Sequence, residues 1–498
     1  MNGMAYVMVV LGILIAKGLG FFRDIIFASA FGATTETDMY FQIFGLVNLI
    51  FTGIGVALST LVIKQLNKTE NDTEEKKKAY VSRFITKSSL IIAFVTVLLY
   101  IFSKPCVRLL LPGLEAADFE KAVRLMYIML PSFLFVVVAY IISGILQNLR
   151  VFFITSVMSL PFNCIIIASL FLPDVNIFTV GIVTTIGWFL HIAVQLPSFY
   201  KKGYKMFSFK GLRESYGGNN REIIYIFVSN MMFQLCFMID KAFVSGEQGV
   251  ATTINYASNL FITISSVFVV AMSNVVFPSI SKNYEEKNIA YVRSLLKYIM
   301  TVMFAIFVPF ILTVSCFGTN IIQILYERGE FTHDLTKTTA LLFAIYTLGA
   351  FGYLCQELFN KVLYLGSKYS YTVIGTVLVV GLKPVINKLV LPYGAVAIAT
   401  TTTVLFTLYA VTIFLAIRKV TGNYLDSELC RNLIKVLLSG AAAFVVFVLF
   451  KVFSPNLLSG KFTFIIPLLL CGLAYCGVFV ISGLAKTVLQ GRNSETER

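Results

Sequence analysis

The stretch KGLGFFRDIIFASAFGATTETDMYF (residues 17–41) decides how the chain is read. It continues the apolar run MAYVMVVLGILIA (4–16), and the two together exceed the ~20 residues an α-helix needs to cross ~30 Å of hydrocarbon. Yet Lys17, Arg23 and Asp24 lie inside the run. An ionisable residue at mid-span costs roughly 2.5–3.5 kcal/mol on insertion scales, so each of these needs a partner, water or a function.

The rest of the chain is of the same kind. Of 498 residues, 58% are hydrophobic and 13% charged, with a mean hydropathy of +0.84, whereas soluble domains carry roughly 25% charged residues. The fold class expected is an all-α membrane protein. Apolar segments of about 20 to 28 residues exclude a β-barrel, whose strands would alternate over ~10 residues. The first segment has no small-residue cleavage site and carries charge at its middle, so it is expected to be retained rather than removed as a signal peptide.

About fourteen spans are expected, near 4–30, 39–65, 82–103, 122–146, 152–172, 176–199, 222–245, 251–279, 292–317, 337–364, 370–391, 394–417, 430–452 and 461–486. The net charge of +15 does not point to nucleic acid, because the basic residues sit in short loops such as 64–83, 201–221, 282–293 and 418–431. By the positive-inside rule these loops face the cytoplasm, and so do both termini. The loops leave no room for a soluble catalytic domain or a P-loop.

An internal repeat is legible. RDIIFASAFGATTETDMYF (23–41) is answered by IDKAFVSGEQGVATTINYA (239–257), at an offset of about 216 residues. The expected organisation is an N-terminal lobe over 1–200 (spans 1–6), a cytoplasmic linker over 201–221 and a C-terminal lobe over 222–420 (spans 7–12). Two extra helices and a cytoplasmic tail follow over 421–498. Lobes starting on the same side are related by an axis along the membrane normal, with a substrate cavity between them.

The charges within spans are few. Lys17 has no carboxylate three or four residues away in its own helix, so it must face a cavity or a partner helix. Glu357 and Lys361 are spaced to pair on one helical face. Asp240 beside Lys241 fits either an interfacial or a functional position. His191 reads as a structural histidine near the inner interface. Lys383 precedes Pro384, which makes span 11 a candidate discontinuous helix. The eight cysteines lack metal-ligand spacing and read as buried thiols, and two histidines leave little for a zinc site, so no cofactor, no metal and no enzymatic chemistry are expected. The basic excess within spans favours an anionic substrate.

At LGFFRD (19–24), TDMYF (37–41), FQLCFMIDKAF (233–243), VVFPSISK (275–282), LYERGEF (325–331) and LPYGAVAIATT (391–401) the chain resembles the MurJ/MviN family of bacterial lipid II flippases, in the superfamily that also holds polysaccharide flippases and MATE exporters. The resemblance implies fourteen helices, a central cationic cavity and a hydrophobic groove from spans 13 and 14 for the lipid tail. It implies substrate contacts at Lys17, Arg23, Asp24, Asp38 and Lys361; beside these, the polar residues Asn230, Gln234 and Asn259 are expected to meet sugar or peptide. Asp240 matches an acidic residue that helps some members bind sodium, together with spans 11 and 12, where Lys383 and Asn387 lie. A lysine ammonium there can take the cation's place. The family's arginine in span 2 has no counterpart in NLIFTGIGVALS (48–59), and its arginine in span 8 is replaced by Asn259.

The function expected is translocation of lipid II, an undecaprenyl-pyrophosphate-linked precursor, from the inner to the outer leaflet of the bacterial cytoplasmic membrane. The partners expected are that lipid-linked anionic glycan and membrane lipid, with Na+ or the membrane potential as the driving force, in a monomer. The alternatives are a flippase for another lipid-linked polysaccharide unit, a cation-coupled drug exporter, which would want carboxylates in place of lysines, and a binding scaffold.

Overall fold

The computed structural model describes residues 3–68, 73–209, 220–459 and 461–488, all helices and connecting turns with no strand among them. Part of the linker expected at 201–221 and the tail beyond 488 fall outside the described residues. Contacts divide the chain into two compact units, Met1–Asn255 with Arg328–Phe331, and Tyr256–Glu327 with Thr332–Arg498. This boundary falls later than the expected linker and places the helices of span 7 in the first unit; the division into two six-helix lobes stays a proposal about the repeat.

In the first unit, α1 (Gly3–Phe31) ends at Gly32, whose φ of +60° is open to glycine without strain. Thr34 and Thr37 then cap α2 (Thr35–Ile50) reciprocally: the Thr34 N–H donates to Thr37 Oγ1 at 2.8 Å and the Thr37 N–H to Thr34 Oγ1 at 3.3 Å. A π-turn at Phe51–Gly55 joins α2 to α3 (Val56–Lys68). There a Cβ on Gly53 would lie 2.8 Å from the Phe227 ring, so the glycine permits a close helix contact. The unit continues with α4 (Glu74–Ile101), α5 (Ser103–Leu110), α6 (Ala116–Met129), α7 (Ser132–Asn148), α8 (Phe152–Val157), α9 (Leu160–Ser169) and α10 (Ile177–Lys201). Asn176 opens α10 by accepting from the Phe178 and Thr179 N–H groups. Span 7 is broken at Met231 into α11 (Asn220–Asn230) and α12 (Met232–Phe243), and α13 (Val250–Glu285) begins in this unit.

The second unit holds most of α13, then α14 (Ile289–Tyr326), α15 (His333–Thr347), α16 (Ala350–Leu354), a π-turn at Cys355–Phe359 and α17 (Asn360–Leu365). It closes with α18 (Tyr369–Val390), α19 (Gly394–Thr421), α20 (Ser427–Phe453), α21 (Pro455–Ser459) and α22 (Ile465–Ile481). The segment α16–α17 bends 54° from α15, which brings Gly352 onto α19, where a Cβ would meet Phe406 at 2.8 Å.

The protein is an all-α multi-pass membrane protein. Among the described residues nine helices are long and apolar enough to cross a membrane, ten if the bent pair counts as one span. Each of the fourteen expected segments lies on a helix or on consecutive helices, and the count of fourteen spans stays a proposal. Two local expectations are corrected. Helix α18 runs unbroken through Pro384, since one missing N–H does not stop a helix held along its length by neighbours. Lys361 does not pair with Glu357: its Nζ instead donates to Ser273 Oγ on α13 at 3.0 Å.

Candidate functional site

Helix α1 carries two kinds of charge. Lys17 is exposed and lines, with Ala16, Gln147, Phe152, Thr155, Ser156 and Ser159, a cavity of about 390 Å³ within the first unit. Small residues bring α8 against α1, since a Cβ on Gly12 would meet Ser156 Oγ at 2.7 Å. A lysine on open volume within an apolar helix can offer its ammonium to an anion.

Arg23 and Asp24, less than two turns on, are part-buried and do not line that cavity. The Arg23 guanidinium donates Nε and Nη2 to Asp24 Oδ1 at 3.0 and 2.7 Å and Nη1 to Asn163 Oδ1 at 3.1 Å. The Phe44 and Phe162 rings flank it at 5.8 and 5.6 Å. Behind Phe162 stand Trp188 and His191, in ring contact at 4.7 Å. His191 is buried and neither ring nitrogen has a hydrogen-bond partner, so it is not the satisfied structural histidine expected.

Asp38 has a different task. Its carboxylate accepts the Gly249 N–H at 2.7 Å, and the Thr252 N–H and hydroxyl at 2.6 Å each, so it caps the N-terminus of α13. Thr37 Oγ1 lies 2.9 Å from Thr252 Oγ1. These contacts join GATTETD to GVATT, the two stretches that answer one another in the repeat. Around them the repeat is visible as geometry. A Cβ on Gly249 would lie 2.4 Å from Ala33 O; one on Gly113 would lie 2.3 Å from Gly246 N, and one on Gly329 2.2 Å from Ser29 O. Ala33 and Gly249, Ser29 and Ser245, and Gly113 and Gly329 are each separated by 216 residues, and Gly113 N–H donates to Ser245 Oγ just as Glu330 N–H donates to Ser29 O. Four loops therefore interlock about a local pseudo-two-fold axis, with glycine wherever a side chain would part them.

Asp240 is fully buried on α12, and Lys241 beside it donates to Phe41 O at 3.1 Å and Asn255 Oδ1 at 3.3 Å. Both are enclosed by the protein. Gln234 donates to Gly45 O at 3.2 Å, and Asn230 is half-buried at the break in span 7.

In the second unit, Lys383 and Asn387 are brought together. The Lys383 ammonium, with no exposed surface, meets three oxygens: Thr401 Oγ1 at 2.8 Å, Asn387 Oδ1 at 3.1 Å and Ile398 O at 3.3 Å. A hydroxyl, an amide oxygen and a carbonyl form a cradle of the kind that ligates a monovalent cation, occupied here by a tethered ammonium. Lys361, bonded to Ser273, also lies 6.0 Å from the Phe277 ring, and Asn259 is half-buried on α13. Between α14, α20 and α22 lies an apolar cavity of about 70 Å³, lined by Pro309, Phe317, Ala443, Phe447, Cys471 and Tyr475. It falls far short of the ~300 Å³ at the low end of pockets for drug-sized ligands. The cysteines are free thiols, and no group of three or more His, Cys, Asp or Glu able to hold a metal occurs among the described residues.

A family model described as lipid II flippase MurJ matches residues 27–468. The chain belongs to the MurJ family. The probable lipid II flippase MurJ of Buchnera aphidicola subsp. Acyrthosiphon pisum is 25% identical over 372 residues, 70% of this chain and 71% of that one. A solved structure described as lipid II flippase MurJ in an inward closed conformation matches with a TM-score of 0.76 at 23% identity, over 95% of this chain and 98% of that one. An inward-facing multidrug MATE transporter matches at 0.61 and 15% identity, over 83% and 97% of the two chains, so the fold is the one MurJ proteins share with MATE exporters.

Against the MurJ pattern, sequence reasoning placed the charges but missed their holders. Asn163, Phe44 and Phe162 come from α9 and α2 and have no spacing that ties them to Arg23.

Proposed function

We propose that this MurJ-family chain is a lipid II flippase, carrying the undecaprenyl-pyrophosphate-linked precursor from the inner to the outer leaflet of a bacterial cytoplasmic membrane by alternating access. The observation that carries the reading for this chain is Lys17, exposed on a cavity of about 390 Å³ inside a membrane helix. Its ammonium binds pyrophosphate, and Arg23, held by Asp24 and Asn163, supplies a second, fixed cation near it. Asn230, Gln234, Asn259 and Lys361 meet the glycan and peptide. Asp38 serves the interlocked loops.

Both termini lie in the cytoplasm, the chain works as a monomer, and it transports without chemical conversion of its cargo. The cradle around Lys383 supports a sodium-independent cycle, because the tethered ammonium fills the place of a coupling ion. Moving one negative charge outward across an inside-negative membrane releases roughly 2.3 kcal/mol per 100 mV, so the potential can supply the drive.

The test is lipid II translocation in cells that carry this protein as their only flippase. Protection of growth and exposure of lipid II on the outer face, unchanged when choline replaces sodium, are the expected results. Failure of both in a correctly inserted protein moves the reading to another lipid-linked polysaccharide.

A further inference from the structure

From Lys201, the last residue of α10, to Phe209 the chain lies against α4 as an extended strap. Gly203, at φ +78°, turns the chain out of the helix. From there alternate residues point in and out: Tyr204 is buried and Met206 and Ser208 are half-buried, whereas Lys205, Phe207 and Phe209 are exposed. The inward side is fixed. Ser82 Oγ donates to Lys205 O at 2.6 Å, the Ser208 N–H donates to Thr86 Oγ1 at 2.8 Å, and the Tyr204 ring packs 5.6 Å from Phe199. Ser82 and Thr86 are one helical turn apart, so the strap runs along α4 from the edge of its span toward the span itself.

The outward side carries Phe207, 52% exposed, and Phe209, 71% exposed, with Lys201, Lys202 and Lys205 exposed beside them. Of the two carboxylates on α4, Glu74 is paired with Lys77 at 3.1 Å and Glu75 is exposed. Two exposed phenyl rings fixed by backbone hydrogen bonds cannot retract into the protein, and three neighbouring ammonium groups have their charge uncompensated by the strap itself. Apolar rings beneath lysines are the arrangement that suits a membrane–water interface, with rings at the acyl boundary and ammonium groups among phosphates.

We propose that the strap 201–209 is an interfacial docking element that selects anionic phospholipid headgroups, with Phe207 and Phe209 seated in the leaflet and Lys201, Lys202 and Lys205 binding lipid phosphate. It gives the transporter a local shell of anionic lipid at the end of α4 and α10. Each lysine close to an anionic surface is worth roughly a fivefold enrichment.

The experiment uses the full chain with Phe207→Trp in nanodiscs of phosphatidylcholine and phosphatidylglycerol. Bromine is placed on the acyl chains of one lipid or the other at equal mole fraction, and the signal of the parent protein, which contains Trp188, is subtracted. The added tryptophan should be quenched in both cases, and several-fold more by brominated phosphatidylglycerol. Lys201→Gln/Lys202→Gln/Lys205→Gln in the same background should keep the quenching, keep the thermal midpoint and lose the preference. Absence of quenching would place the strap in water and overturn the proposal. Equal quenching by the two lipids, or a preference that survives the triple substitution, would overturn its charge selectivity.

Discussion

Lys17 and Lys383 are both lysines inside apolar helices, and they differ in exposure. Lys383 has three N–H donors and three oxygens within 3.3 Å, on a side chain with no exposed surface. Lys17 stands exposed on open volume. The cost of a charge in the membrane is met by full burial among oxygens in one case, and the other ammonium keeps surface open to water or cargo. Hydropathy and position along a span do not separate the two; only the company of the ammonium does.

The sharpest way to break the comparison is Lys17→Ala. If the cavity lysine serves cargo, transport of lipid II should fall about 10- to 100-fold, the value of a charge-assisted hydrogen bond, with no change in the thermal midpoint. Lys17→Arg should recover most of it. A midpoint that falls as far as activity would make Lys17 a structural residue like Lys383.

Asp38→Asn comes next. The carboxylate accepts two N–H groups and a hydroxyl, and an amide would turn an N–H toward a donor. The expected loss is about 1–3 kcal/mol, read as a lower thermal midpoint. Cysteines placed on the interlocked loops should also react faster with a membrane-impermeant thiol reagent. An unchanged midpoint would mean that the cap is dispensable.

What could be read in advance follows from this contrast. The all-helical membrane class was legible, because hydrocarbon leaves the backbone few solutions and the composition declares them. The repeat was legible as well, since GATT and GVATT survive in both halves. The positions of charges were legible, and their roles were not. That Asp38 also holds Gly249 and Thr252, and that Phe44, Phe162 and Asn163 surround Arg23, could not be read from the sequence. Lys361 turned to Ser273 on another helix rather than to Glu357 one turn away, and no residue there announces it. Such outcomes are set by contacts far apart in sequence, which local pattern does not encode.

Lys383→Met should have a smaller effect. It removes a costly buried charge and leaves Asn387, Ile398 and Thr401 short of a donor, and Thr401 can still bond Asn387, at 2.7 Å. The two terms oppose one another, for a net loss of about 1–2 kcal/mol, seen as a drop of a few degrees in the midpoint. Transport should stay within about twofold of the parent if the cradle is structural. A transport defect as large as that of Lys17→Ala would erase the distinction between the two lysines.

The smallest effect belongs to a lysine satisfied at the surface. Lys297 donates to Asp426, which also accepts the Leu429 N–H at 3.0 Å as the cap of α20, and Glu428 stands 3.8 Å from the same ammonium. The Lys297 hydrogen bond, with the Leu429 N–H, holds the Asp426 carboxyl below its ordinary value. A carboxyl lowered in the folded state contributes stability that is fully present above the ordinary carboxylate pKa of ~3.9 and is lost as pH falls through the lower folded value. The midpoint should therefore be indifferent to this pair from neutral pH down to about 4 and fall below that. Because the Asp426 side chain is 40% exposed, solvent screens the pair and the acid slope is shallow. Asp426→Asn keeps a good helix cap, so it should leave the midpoint at neutral pH within a degree or two and flatten the slope below about 4. A large loss at neutral pH would show that Lys297 depends on its carboxylate as fully as Lys383 depends on its three oxygens.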